Sequence, residues 1–304
     1  MKPALIENSQ SAWLTGEVGA SRTAWLAENL YDKYQSDARN FKGSTFLSYS
    51  PWMSFVEERE ALHSYFAPPA SQVSVDKGLL RELRRLFWTR PRCPLGRTSV
   101  TFPWISIDTQ AGSRNLDLYF EAVELVSSSG EAWRRRVNVL AKTIVPLKTL
   151  SPRARPGGVG FSTQLIKGAV FLSRPNLGKL SAIELAINLA HEIGHQSLNI
   201  YLASDRVIAG KIDAPVYSAI RKTKRPAILS FHAMVALALI VDFSRARLAS
   251  PGGGLSDIEH DYLAGQLKIF EASLKIAIKS FGPIQLTQLG QELLAEFQNL
   301  SVKG

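Results

Sequence analysis

His191-Glu192-Ile193-Gly194-His195 sits inside an unbroken run from Leu180 to Ser204, LSAIELAINLAHEIGHQSLNIYLAS. No proline interrupts it, and Gly194 is its one weak helix former. The run therefore predicts a helix, and a helix puts residues four apart on one face, one turn above the other. His191 and His195 can then aim their imidazoles at one metal ion, with Glu192 beside them. The chain has only five His, so composition alone would produce H-E-x-x-H in about four such chains per thousand. That rarity favours a metal pair over two hydrogen-bonded helix-face histidines. Ser181 and Glu184 read as an S-x-x-E capping box at the start of the helix.

Two His hold a metal weakly, and catalytic zinc and non-haem iron sites take three protein ligands. The extended metzincin pattern needs Gly and His three and six residues after the second His; Leu198 and Tyr201 stand there and exclude it. The better candidate is His232, near the start of an apolar run from Pro226 to Val241. An imidazole in such a helix needs a partner or costs about 1–3 kcal/mol. A metal is one partner, a neighbouring carbonyl another. Glu259 and Glu271 are carboxylate alternatives, and His63 and His260 lack comparable context.

The rest of the chain predicts an α+β fold. Its N-terminal and middle regions contain strands, and its mostly helical C-terminal half carries the metal site. Trp13, Leu14, Val18, Trp25, Leu26, Leu30 and Tyr34 recur at roughly helical spacing. Residues 76–90 suggest a basic amphipathic helix with Arg81, Arg84 and Arg85. Ser99–Asp108 and Leu116–Leu125 read as strands on β-branched and aromatic content, and Arg136–Ile144 is a further strand candidate. Gly168–Ser173 reads as a strand feeding the motif helix. After it come helices over Pro226–Ala249, from Ser256 with a capping box to Glu259, and over about 286–300. The division is residues 1–165, a mixed region suited to peptide recognition, and 166–304, the helical metal-site region; one continuous domain is the alternative.

The single Cys93 excludes an intramolecular disulfide and fits a reducing compartment. Glu7 stands where a signal peptide needs an apolar run, and Pro226–Val241 is short for a bilayer span. The expectation is a cytoplasmic protein with no membrane partner. A net charge of +10 favours an acidic partner. The basic residues form scattered clusters without a nucleic-acid-binding signature, so nucleic acid is not expected.

HEIGHQSL from His191, followed by DAPVYSAIRKTKRPAILSFHAMVALALIV from Asp213, resembles the HExxH-type peptide β-hydroxylases. These iron- and 2-oxoglutarate-dependent enzymes were first described as HExxH-motif peptide-modification proteins of ribosomal natural-product pathways. The elements that match are the pentapeptide, Ser-x-x-Arg ending at Arg221, Arg225-Pro226 and Phe231-His232, within residues 170–250. The resemblance implies Fe(II), 2-oxoglutarate and O2 as cofactor and cosubstrates, and a precursor peptide hydroxylated at a β-carbon. Such a site needs a cation for the far carboxylate of 2-oxoglutarate, and an Arg fork suits it. Arg225, immediately before the His232 helix, is the first choice and Arg221 the second.

Two other readings stand beside this one. A zinc-dependent metallopeptidase would use Glu192 as general base. A catalytically silent peptide-binding protein would keep the fold alone. For the peptide itself, Arg81, Arg84, Arg85 and Arg134–Arg136 suggest a basic groove for an acidic precursor, with a strand edge there pairing to its backbone. Oligomeric state is not legible.

Overall fold

The structure, a computed structural model, describes residues 12–40, 72–73, 105–108, 116–149, 157–162, 168–203, 205–250 and 254–302. The expected basic helix at 76–90, with Arg81, Arg84 and Arg85, lies outside the described residues, as does His63.

The fold is α+β with a helical C-terminal half. Helix α1 (Gly16–Asn40) is followed by β1 (Gln72–Val73), β2 (Ile105–Ile107), α2 (Asp117–Ser127), α3 (Glu131–Leu140) and β3 (Thr143–Thr149). Then come β4 (Gly160–Ser162), β5 (Ala169–Ser173), α4 (Ser181–Leu202), β6 (Pro215–Ser218) and β7 (Thr223–Pro226). Helices α5 (Ala227–Ala249), α6 (Asp257–Ser280) and α7 (Gln288–Val302) follow.

Among the described residues, β3 is parallel to β5, and β4 pairs antiparallel on the far side of β5. On its other side β3 changes partner: β1 runs parallel to Thr143 and Ile144, and β2 antiparallel to Leu147–Thr149. Pro146 falls between the two registers, so its missing N–H lies where pairing switches, while its carbonyl accepts from Asp108 N at 2.9 Å. Strand β5 is buried throughout and leads into α4, as expected. Buried residues from Leu14 to Phe297 form one cluster around α4 and α5.

Several local expectations are corrected. Leu116–Leu125 is not a strand but most of α2: Tyr119, Ala122, Leu125 and Val126 are buried at helical spacing, and that period outweighs β-rich composition. Arg136–Ile144 divides between α3 and β3. Trp133, Arg136, Val137 and Leu140 share the buried face of α3, so Arg134–Arg136 border no strand. In α1 the apolar face shifts: Val18 and Trp25 are exposed, and Ala20, Thr23, Ala24 and Ala27 are buried instead. The Ser181–Glu184 capping box does not form. A 3-10 turn over Gly178–Leu180 leads into α4, so Ser181 is already helical and accepts a hydrogen bond from Leu177 N at 3.0 Å. Glu184 accepts from the Tyr262 hydroxyl at 2.6 Å instead. The second box is present: Ser256 and Glu259 cap α6 reciprocally.

Helix α5 reaches Ala249, and by length and composition it could cross a membrane, which corrects its expected shortness. However, 72% of its most apolar window is buried inside the protein, so α5 is a core helix here.

The start of α1 is tied to the far end of the chain. Glu296 of α7 accepts from the backbone N–H of Trp13, Leu14 and Thr15. Arg136 donates to the Leu14 and Gly16 carbonyls and pairs with Asp242 at 3.3 Å, its side chain wholly buried. Burial holds its guanidinium below the usual range, opposed first by Asp242.

Candidate metal centre

Helix α4 supplies His191 and His195, and their Nε2 atoms lie 3.1 Å apart. Two nitrogens each about 2.1 Å from one ion stand roughly 3.0–3.4 Å apart at octahedral to tetrahedral angles. The pair therefore has the spacing of two ligands to one ion, which is also the spacing of a ring-to-ring hydrogen bond.

Helix α5 brings His232 to the pair, its ring centre 5.7 Å from that of His195. Gly194 makes this approach feasible. A Cβ on Gly194 would lie 2.8 Å from the Ala236 Cα, closer than side chains tolerate. Ala236 is one turn beyond His232 on α5, so the close crossing of the two helices carries His232 to the edge of the α4 pair. The sequence marks Gly194 only as a weak helix former; a glycine inside a helix, between two candidate ligands, is the signal of close packing.

All three rings are partly buried. Desolvation pushes His191 down to about 4, helped by the Arg221 charge. Desolvation alone pushes His232 down to about 4. His195 lies well below the usual imidazole range, through desolvation and then His191, His232, Arg221 and Arg225. Neutral imidazole is the ligating form. Among the described residues no set of three His, Cys, Asp or Glu side chains is closed around one point, so His232 stands beside the pair rather than folded onto it. Two nitrogens at the spacing of ligands, a third ring adjacent and burial that favours the uncharged imidazole are compatible with a divalent N-ligated metal.

The carboxylate alternatives are engaged elsewhere. Glu259 caps α6, and Glu271 pairs with Arg245 at 2.5 Å. His260 is exposed beside Asp261.

Arg225 and Arg221 come from the β6–β7 hairpin. Val216 opposite Arg225 and Ser218 opposite Thr223 set its register. The turn between carries Arg221, then Lys222 in the left-handed region with φ 53°. Ser230 of α5 donates to the Val216 carbonyl at 3.1 Å, fastening the hairpin to the helix. Burial and then the Arg221 charge lower the Arg225 guanidinium. Among the described residues neither arginine has an ion-pair partner.

Glu192, about 100° around α4 from His191, lies against β4. It is 2% exposed, and a Cβ on Gly160 of β4 would lie 2.9 Å from its Oε1. Among the described residues its Oε2 has no hydrogen-bond partner. Burial pushes the carboxyl up to about 8, with the Ser162 hydroxyl opposing; a nearby cation would reverse that direction.

The chain matches no protein-family model and no curated protein.

Proposed function

We propose that the protein is an Fe(II)- and 2-oxoglutarate-dependent oxygenase that hydroxylates a carbon, in this reading a β-carbon, of a residue in a ribosomally made peptide. The proposal rests on the resemblance of residues 170–250 and on one observation: the Arg221 charge acts on His191 and His195 and the Arg225 charge on His195, while among the described residues neither arginine has an ion-pair partner. A hydrolytic zinc site has no need of a paired cationic arm for a second, small dianion. A 2-oxo diacid does, because its far carboxylate must be held while its other end meets the metal.

In this reading His191, His195 and His232 hold the metal. Fe(II) with 2-oxoglutarate supplies O2-driven C–H hydroxylation, giving hydroxylated peptide, succinate and CO2. Arg225, at the hairpin end next to α5, binds the far carboxylate bidentately, and Arg221 adds positive potential. Partial burial of the three rings limits water near the reacting atoms. An acidic precursor and a cytoplasmic setting remain parts of the same proposal.

A zinc peptidase is the second reading, favoured by one observation. Glu192, the residue after His191, presents a buried oxygen without a hydrogen-bond partner among the described residues, where a base for water activation would be sited. Purified protein loaded anaerobically with Fe(II), then given O2 and 2-oxoglutarate, should form succinate even without peptide. Peptide cleavage with zinc and no 2-oxoglutarate turnover would replace the first reading with the second.

A further inference from the structure

Helix α6 buries Leu263, Leu274 and Ala277 against the rest of the molecule. On its opposite face Ile258, Ile269 and Ile276 are 56%, 58% and 50% exposed. Eleven and eighteen residues are close to three and five full turns, so the three isoleucines line up within about 20° of one another. Gly265 and Ala272 lie on the same stripe and are exposed, and a Cβ on Gly265 would meet nothing within 4 Å.

The charges beside the stripe are ordered. Asp257 and Asp261 lie on its N-terminal half, and Lys268, Lys275 and Lys279 on its C-terminal half. At 100° per residue all five fall on one flank, while Tyr262, Gln266, Ser273 and Ser280 occupy the other. A two-fold axis across an antiparallel helix pair brings like flanks together with their directions reversed. Centred near Leu267–Lys268, such a pair sets Asp257 opposite Lys279 and Asp261 opposite Lys275, each twice. A centre one residue earlier, at Leu267, places Ile258 against Ile276 and Ile269 against the notch at Gly265, so an axis between the two residues leaves each set within about 1.5 Å of its ideal register. Lys268 alone would meet its own copy near the axis.

We propose that this face of α6 is a self-association surface, occupied by α6 of a second copy in antiparallel register. The self-complementary charge order selects a second copy over a foreign partner, because one helix supplies both halves of every pair. The isoleucine stripe supplies apolar burial, and Gly265 permits a close crossing. The patch is one helix long, below the size of a large obligate interface, so the dimer dissociates at low concentration.

The test is sedimentation velocity on the full chain from about 1 to about 100 µM, a span covering micromolar dissociation constants. The wild type should pass from monomer to dimer. Asp261→Lys, which sets like charges opposite one another twice, should weaken the dimer by about tenfold or more. Asp261→Lys with Lys275→Asp should restore it, and Lys268→Ala should strengthen it. Ile269→Ser should weaken it, with far-ultraviolet circular dichroism confirming retained helix. A wild type that stays monomeric throughout overturns the proposal, as it would if the stripe served another protein or a membrane. A dimer indifferent to Ile269→Ser, or an Asp261→Lys defect that the second charge reversal leaves unrepaired, overturns it too.

Discussion

Gly194 of α4 and Ala236 of α5 meet so closely that a Cβ on the glycine would fall 2.8 Å from the alanine Cα. The crossing lies between His195, the next residue on α4, and His232, one turn earlier on α5. It sets the distance between the third ring and the pair. Gly194→Ala should force the helices apart, lower stability by about 1–3 kcal/mol, and weaken metal binding although no ligand is touched. Thermal unfolding and metal titration check this; an unchanged metal affinity would mean His232 does not depend on the crossing.

The three-histidine ligand set is tested by comparing His232 with the carboxylates. His232→Ala should reduce metal affinity by at least ~100-fold, exceeding the usual effect of a residue behind the ligands. Glu259→Gln and Glu271→Gln should leave metal content unchanged, because those side chains already serve the α6 cap and Arg245. Elemental analysis after dialysis distinguishes the cases. Full metal occupancy in His232→Ala would remove it from the site.

Arg225→Lys retains charge but loses the two-pronged donor, so the KM for 2-oxoglutarate should rise by about tenfold or more. The KM for peptide should change much less. Arg221→Ala should have a smaller effect on the cosubstrate, since Arg221 is exposed in the hairpin turn. An unaltered cosubstrate KM in both Arg225→Ala and Arg221→Ala would dismiss the arginine assignment.

Away from the site, Asp242→Ala should be costly. It leaves the wholly buried Arg136 guanidinium without its carboxylate, a loss of about 3–5 kcal/mol for a buried pair broken on one side. Chemical denaturation measures it. A change under about 1 kcal/mol would mean that the Leu14 and Gly16 carbonyls satisfy Arg136 by themselves.

The long C-terminal helices and the placement of both motif histidines were legible in the sequence because helical period and chain breaks agree there. The α6 cap was legible for the same reason, with Ser256, Glu259 and the following apolar spacing all consistent. The Ser181–Glu184 box misled because a cap requires Ser181 to precede the helix, and the 3-10 turn had already drawn it in. Leu116–Leu125 misleads because aromatic and β-branched content speaks louder than spacing, and Arg136–Ile144 because it spans the break between α3 and β3. Arg136 resembles part of a basic surface in the sequence because its acceptors, Asp242 and the carbonyls at 14 and 16, are distant along the chain. The basic groove retains only Arg134 and Arg135 among the described residues, both already beside Glu131. Gly194 was visible as a letter, but its neighbour on α5 was not.

Pro226 ends β7 and stands at the threshold of α5, with Arg225 before it and His232 within the second turn. That short interval fixes a rotational phase as well as a distance. Each residue added or removed inside the helix between them would swing His232 by about 100° around the α5 axis, while the hairpin register held Arg225 in place. The interval from Arg225 to His232 is therefore a dimension of the proposed site that a change of length would alter.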